Sequence, residues 1–526
     1  MASRSDSLLV LGFCAALLAP ALAWRAHPEA WVDLGRENRK PAPFPELAGG
    51  ASVLELFPRG FEAWQSDVLG LRSPLLACNN LLELRGWGRA PTQTLLLGRS
   101  DWIFYTGDHS REIWRGLYPI PGDFADNWRA ALRSRTAWFA RRGITYLYVI
   151  APNKETLYPE FLPAGEEALG PTLFDALDDE LAARPELAFC DLRPALRAER
   201  AHDRPEAGDF VYHPFGTHWT SRGAVVAAAQ IERRLRELEP DLRWASVPPR
   251  EEWALEERAD TLEDTWATSL HIEGSFPQRV YDLRLDEPRS HSCTAGSEDQ
   301  NTRETVFERP DGEGERVVLV HDSFGPWLRG PLSESCSYLH GLWEEDLPLE
   351  RILADAPRVV IEVRTERRLP DRPVWLYDAF ESLAQESFDA LTPLETLPAL
   401  PKSIGAVASY GGSRVERDEA SGGARISSPE GGSRVLLAGW KTAPGGRLVI
   451  GLSIRAPQAT QATLWYQTHD EPCFHPRRYN VMQLDAGLNE LWLRLPEAGI
   501  EGTLLLQPGA VAGDYVLEHV EGRSAR

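Results

Sequence analysis

The sequence predicts an α/β three-layer sandwich built on a parallel sheet, followed by an all-β sandwich. Two observations carry this expectation. Through roughly the first 370 residues, short β-rich apolar runs alternate with helical stretches, the rhythm of a parallel sheet whose crossovers are helices. Beyond about Leu400, the pairs Gly411-Gly412, Gly422-Gly423 and Gly431-Gly432 punctuate short β-rich runs, as in a sandwich of many short strands.

Taken in order, the chain begins with Arg4, an apolar run from Leu8 to Ala19, Pro20 and Ala21-Leu22-Ala23. A short basic start, an apolar stretch below bilayer length and a small-x-small site predict a signal peptide over residues 1–23. An uncleaved membrane anchor is the alternative, because the run can be extended to Trp24. Both imply export, to a periplasmic or extracellular location, with attachment to the inner membrane in the second case. Glu37-Asn38-Arg39 and Pro41 to Pro45 form an extended lead-in, since proline lacks the backbone donor. Helical spacing follows from Leu54 to Leu84, and Thr94 to Tyr105 looks strand-like. A helix over Trp128–Arg142 leads into a strand over Ile144–Ile150. Phe189–Leu192, Arg316–Val320 and Val359–Val363 are further strands, and Thr220–Leu238 is an amphipathic helix. The polar, acidic segment Ser246 to Glu315 is poorly periodic and is expected to be an insertion forming a lid within a domain spanning 31–392. Pro393, Pro398 and Pro401 mark a linker. The sandwich of 402–526 carries β-rich runs at Arg434–Leu437, Leu448–Ile454 and Ala462–Gln467, and its Trp465, Tyr466 and Trp492 either fill its core or bind carbohydrate.

Composition narrows the function classes. With 526 residues, of which 43% are hydrophobic, the chain can bury more than one core. A formal charge of −22 leaves no basic surface of the kind nucleic acid requires. Outside the leader, Cys78, Cys190, Cys293, Cys336 and Cys473 are odd in number and widely spaced, so they define neither a disulfide framework nor a metal site. His213 and His218 have no carboxylate or cysteine at ligand spacing, and no motif implies a metal or organic cofactor.

The chemistry concentrates at two places. Ser323 follows the apolar run Val317–Val320 and precedes the helical stretch Phe324–Leu332. A serine at such a turn is exposed at the carboxyl end of the sheet, where N–H groups at a helix start can stabilise an oxyanion; by itself it can equally be a helix cap. His218, in Gly216-Thr217-His218-Trp219-Thr220, stands just before a helix, where a general base can reach across the sheet edge to the serine; packing beneath Trp219 is its structural alternative. Lys154, after Ile144–Ile150, falls at the edge where open α/β sheets bind ligands, unless it is a surface lysine. Arg364, Arg367 and Arg368 form a basic cluster able to attract a uronate, or else pair with Glu362 and Glu366.

In their order, Glu37-Asn38-Arg39, Asp67 to Arg72, Gly98 to Phe104, Pro152 to Thr156 with Tyr158 and Pro163, Asp191-Leu192, Thr217 to Thr220 with Gly223-Ala224, and Asp322-Ser323-Phe324 resemble a known family. The chain is similar to the AlgX/AlgJ-like SGNH hydrolase-like domain proteins, the alginate O-acetyltransferase group, over roughly residues 31 to 370. The resemblance implies an SGNH-like sandwich in which Ser323 is the nucleophile and His218 the base. It also implies an Asp-x-His-Trp acid, whose position is Gly216 here. Asp209 or Asp322 can replace that acid, a Ser-His dyad can act alone, or catalysis has been lost. Trp219, Lys154, Arg364 and Arg367 are the expected substrate-binding residues. The partners implied are an acidic or neutral exopolysaccharide and an acetyl donor, protein or small molecule, within a membrane-associated biosynthetic assembly. A catalytically inactive polysaccharide-binding component is the alternative function.

Overall fold

The computed structural model describes residues 4–26, 33–34, 40–45, 53–122, 124–182, 184, 186–258, 266–275, 280–294, 302–371, 375–376, 385–394, 407–411, 413–443, 445–469, 472–474 and 478–525. Glu37-Asn38-Arg39, Pro398 and Pro401 lie outside them. The first helix runs Arg4–Ala26, and its span Leu8–Ala26 is long and apolar enough to cross a bilayer by length and composition, a test that signal sequences also pass. The apolar stretch is therefore longer than the sequence suggested, and both readings of it stand.

Among the described residues, the strands before the β-sandwich are β1 (Leu95–Leu97), β2 (Ile103–Tyr105), β3 (Thr145–Ala151), β4 (Phe189–Asp191), β5 (Trp253–Arg258), β6 (Val280–Leu285), β7 (His291–Ser292), β8 (Glu304–Glu308), β9 (Arg316–His321), β10 (Tyr338–Trp343) and β11 (Val359–Thr365). The central sheet has the order β4-β3-β11-β9-β10-β8-β7. The first five strands are parallel, and β8 and β7 extend the edge antiparallel, so the sheet is mixed.

β3, β9 and β11 read as nearly continuous apolar runs because a central parallel strand is covered on both faces. Successive residues serve opposite cores. Val317 and Leu319 of β9 join Leu147, Val149 and Ile361 beneath the helices Ser221–Leu238 and Pro326–Ser333. Val318 and Val320 join Tyr146, Tyr148 and Val360 beneath the helices Phe124–Ala140, Leu173–Ala182 and Leu349–Ala354. These are the three layers. Each fully buried aliphatic side chain contributes about 1.5–3 kcal/mol.

β11 carries a buried carboxylate inside this core. Buried Glu362 takes hydrogen bonds from the Tyr146 hydroxyl at 2.7 Å and from Arg364 Nε at 3.1 Å, and pairs with buried Arg135 of the helix Phe124–Ala140. Burial opposes ionisation, but the Arg135 and Arg364 cations overcome it and hold the carboxyl below its ordinary pKa.

The segment 246–315 is only partly the lid that its polarity suggested. Its last part supplies β7 and β8 to the central sheet, because an edge strand with one wet face reads as polar. Its first part forms the β5/β6 hairpin and the short helix Trp266–Ser269. Ala267, Leu270 and Ile272 then join Ile103 and Phe215 in a small cluster over the loop that carries His218.

Among the described residues, the C-terminal sandwich comprises two six-stranded sheets. They begin before residue 402, the boundary suggested by the composition, since Trp375–Leu376 pairs with Tyr479–Leu484 and Thr392–Pro393 pairs with Gly513–Ala525. Tyr466 fills the sandwich core, whereas Trp492 is half-buried beside Phe388.

Replacing Glu362 by alanine strands the buried Arg135 cation, and we expect a loss of about 3–5 kcal/mol in urea unfolding. An unchanged midpoint would show that the pair contributes nothing beyond what water could supply.

Candidate active site

β9 ends at His321, and the chain turns through Asp322-Ser323-Phe324-Gly325 into the helix Pro326–Ser333. Pro326 suits the first helical position, where its missing N–H has no intrahelical role. The turn is held from three sides. Asp322 Oδ1 accepts the Phe324 N–H at 3.0 Å, and its Oδ2 accepts the Thr365 N–H at 2.8 Å, tying the turn to the end of β11. His321 is fully buried. Its Nδ1 lies 2.6 Å from the Asp322 carbonyl oxygen, and its Nε2 receives hydrogen bonds from Arg329 Nε at 3.2 Å and Nη2 at 3.1 Å. Burial and then the Arg329 charge push the imidazole pKa well down, so the neutral ring donates at Nδ1 and accepts at Nε2. Gly325 packs on this ring so closely that a Cβ there would stand 1.9 Å from His321 Cγ.

His218 approaches from the opposite loop. Residues 212–219 form a tight hairpin closed by the Tyr212–Trp219 bridge and by the His213 N–H to His218 carbonyl bond at 3.1 Å. Thr220 then caps the helix Ser221–Leu238. Gly223 is needed in its first turn because a Cβ would meet the Val211 carbonyl oxygen at 2.6 Å. The His218 ring lies edge-on to Phe324 at 4.7 Å between centroids and stacks on Trp327 at 4.6 Å. Those two rings follow Ser323 by one and four residues, so the structure brings the histidine onto the serine turn.

Lys154 is neither a surface residue nor open to a ligand; it is 3% exposed. Its ammonium donates to the carbonyls of Ile103, His213 (3.1 Å), Pro214 (3.0 Å) and Gly216. It also sits 5.0 Å and 5.4 Å from the Phe104 and Trp102 ring centres.

Other expectations change similarly. Trp219 is wholly buried and packs edge-on to Phe324 at 5.0 Å, so it shapes the core and offers no face to a substrate. Arg364 is buried on β11 and held by Glu362 and the Glu344 carbonyl. Arg368 pairs with Glu345 and Asp371. Arg367 alone of the cluster reaches the serine turn, with its guanidinium 5.7 Å from the Phe324 ring, 5.2 Å from the Tyr105 ring and 3.6 Å from Asp108. Both proposed replacement acids are engaged elsewhere. Asp209 takes two bonds from Arg204 (2.9 and 2.8 Å) and faces Arg222, while the two oxygens of Asp322 accept backbone N–H groups. The helix-start donors expected for the oxyanion are likewise spent, since Phe324 and Gly325 both donate to Asp322. The Ser323 N–H donates to no acceptor among the described residues.

Sequence reading missed Trp327, which grips the histidine, and its position one helical turn beyond Ser323 was the available clue. It also missed Tyr105 of β2, on which Trp266 of the inserted segment stacks at 5.7 Å with 8° between their planes, while the Trp266 N–H donates to the Phe215 carbonyl of the loop at 3.0 Å. Behind the site lie two buried carboxyls. Glu155 accepts from the Ser110 hydroxyl at 3.1 Å, and burial raises its pKa. Glu366 accepts from the Asn153 N–H (2.9 Å) and the Thr156 hydroxyl (2.6 Å), and burial raises it to about 7. Among the described residues no three His, Cys, Asp or Glu side chains cluster as metal ligands.

Ser323 thus stands at a strand-to-helix turn, and the ring of His218 packs on Phe324 and Trp327 of that turn and helix. Residues 95–278 match the family described as SGNH hydrolase-like domain, acetyltransferase AlgX. The matched stretch includes His218 and ends before Ser323. Solved structures similar to the chain include the O-acetyltransferase domain of Pseudomonas putida AlgJ, at 19% identity over 53% of this chain and 93% of that one (TM-score 0.35). Bacillus cereus PatB1 is 11% identical over 52% and 96% (TM-score 0.40), and Pseudomonas aeruginosa AlgX 14% identical over 82% and 94% (TM-score 0.35). No curated protein sequence matches.

Two outcomes follow. Lys154→Met takes a charged donor from four carbonyls, of which those of His213 and Pro214 keep a backbone N–H, and should lower stability by roughly 3 kcal/mol; equal urea midpoints would mean that the ammonium does not hold the loop. Because the folded chain binds the Glu366 proton more tightly than the unfolded chain does, this group favours folding at low pH. Its contribution declines between its ordinary 4.5 and about 7. Relative to Glu366→Gln, the wild type should lose ~3 kcal/mol across that window, read from urea unfolding at pH 4.5 and 7.5.

Proposed function

We propose that this protein is an exported O-acetyltransferase or acetylesterase that acts on an exopolysaccharide through an acyl-enzyme at Ser323. The observation that carries this reading is the seating of the His218 ring on Phe324 and Trp327, within the turn and helix that present the serine. Ser323 Oγ attacks the acetyl carbonyl while His218 takes the hydroxyl proton. The Ser323 N–H, uncommitted within the turn, meets the developing oxyanion. His218 returns the proton to the leaving group, and a sugar hydroxyl or water then releases the acetyl group by the reverse sequence. Arg367 supplies a cation beside the turn, suited to a carboxylate on the glycan or to an anionic donor. The apolar N-terminal helix supports an exported or inner-membrane-anchored location, within a membrane-associated assembly that provides the acetyl donor, protein or small molecule.

Gly216 favours a second reading, in which the chain binds polysaccharide without turnover. In a Ser-His-Asp triad the acid sets the imidazole tautomer, and removing it costs about ten-thousand-fold in turnover. Here the Gly216 carbonyl is turned onto Lys154, and this backbone anchoring positions the loop where a carboxylate otherwise would.

Purified full-length protein incubated with an activated acetyl ester should form a covalent adduct at Ser323. Ser323→Ala and His218→Ala should each reduce hydrolysis at least a hundredfold, toward background. If the wild type hydrolyses the ester no faster than background and carries no adduct by mass spectrometry, the enzymatic reading fails and the binding one replaces it.

A further inference from the structure

The 23-residue helix Arg4–Ala26 spans about 34 Å, against ~30 Å for the hydrocarbon core of a bilayer. Its large apolar side chains from Leu8 to Leu22 are each more than half exposed, a cost in water that insertion into lipid removes. Its last turns, in contrast, are packed into the domain. Gly70 lies in the turn between the helices Val53–Val68 and Arg72–Leu81, and a Cβ there would stand 2.2 Å from the Pro20 carbonyl oxygen and 2.5 Å from the Trp24 backbone nitrogen. The Trp24 ring meets the Trp64 ring edge-on at 6.4 Å. Arg25 marks the polar boundary of the span, so Pro20 lies roughly 7 Å inside it along the axis. Whatever packs on Pro20 and Trp24 therefore sits at the depth of the headgroups and the first acyl carbons.

The chain places aromatic rings at that depth. On the helix Val53–Val68, Phe57, Phe61 and Trp64 recur at helical spacing on one side, while the exposed Arg59, Glu62 and Ser66 lie on the other. Phe57 stacks on Phe61 at 5.9 Å, and Phe44 meets Phe57 and Phe61 at 6.3 Å and Trp64 at 5.0 Å. Two contacts hold Phe44 there. Asp67 Oδ2 accepts the Ala42 N–H at 2.8 Å, and Gly60 admits Pro45 so closely that a Cβ would stand 2.9 Å from the Pro45 Cβ. Even so, Phe44 remains 54% exposed and Trp24 39%.

We propose that this ledge, Phe44 with Phe57, Phe61 and Trp64, seats in the interfacial layer of the membrane that Arg4–Ala26 crosses, so that the domain lies on the phospholipid surface and does not swing from a tether. The proposal rests on the anchored reading of that helix. Retention is supported by the small-x-small run Ala21-Leu22-Ala23, which is helical and folded into the contact, with the Ala23 carbonyl carbon 3.1 Å from the place of a Gly70 Cβ. Lipid is the favoured occupant because the ledge is continuous with an apolar span of membrane length, aromatic rings settle at headgroup level, and the charged side of Val53–Val68 is turned away.

Full-length protein is reconstituted in phosphatidylethanolamine and phosphatidylglycerol vesicles that carry a lipid with a diazirine either near the glycerol or at the methyl end of its acyl chain. After irradiation, adducts are mapped by mass spectrometry. The glycerol-side probe should label Phe44 and the stretch Phe57 to Trp64, and the methyl-end probe should label them about fivefold less, while both label the span Leu8 to Leu22. Phe44→Asp, at an exposed position, should lower labelling of Phe57 to Trp64 roughly tenfold with labelling of the span and thermal unfolding unchanged. Should that variant unfold, the comparison of the two probes on the wild type carries the decision. Adducts confined to Leu8 to Leu22, the result expected if the ledge faces a protein partner instead, overturn the seating and leave the anchor. Equal ring labelling by both probes does the same. A mature N-terminus beyond Ala23 removes the anchor and the seating together.

Discussion

The buried ammonium of Lys154 is the constraint on which the rest of the candidate site depends. A lysine withdrawn from water costs several kcal/mol unless something replaces its hydration. Here four backbone carbonyls and two aromatic faces surround the charge. Carbonyls from β2 and from residues 213–216 can converge on one point in few ways. Satisfying the lysine therefore dictates the path of the loop, and with it the positions of His218 and Trp219. The loop then enters the helix Ser221–Leu238 through the Thr220 cap, so that the charge at the end of β3 is coupled to the helix layer above the sheet.

The serine turn is organised by a different device. Asp322 spends its carboxylate on two backbone N–H groups, one within the turn and one at the end of β11, and His321 beneath it serves as a neutral link to Arg329. Two polar arrangements, one cationic and one anionic, thus position two loops separately. The loops meet through rings. Phe324 and Trp327 clamp His218, while Trp219 packs edge-on to Phe324. Aromatic contacts of this kind fix orientation in addition to burying area.

The same economy explains the fate of the candidate acids. In the turn, an aspartate beside the serine is more useful as a clamp than as a partner for histidine. Asp209 sits between Arg204 and Arg222 and balances Arg222, which is itself buried. The arginine cluster after β11 divides in a similar way. Arg364 compensates Glu362 in the core and Arg368 pairs at the surface, leaving Arg367 beside the serine turn.

What could be read from the sequence was whatever depends on neighbours along the chain. The alternation of apolar strands and amphipathic helices located β3, β4, β9 and β11 to within one or two residues, because burial on both faces leaves an unbroken apolar run. The serine at a strand-to-helix junction and the histidine before a helix were visible for the same reason. Tertiary structure decided the rest. β8 looked like part of a polar insertion, because an edge strand with one wet face loses the apolar signal. Lys154 looked like a ligand for substrate, yet its partners are carbonyls 51 to 62 residues away. Trp219 and Trp492 were equivalent as letters, and only packing buried the first and opened the second to a cleft. Local pattern records how much of a residue is covered; what covers it is set by chain segments brought together only on folding, and the chemistry of each side chain follows from those partners.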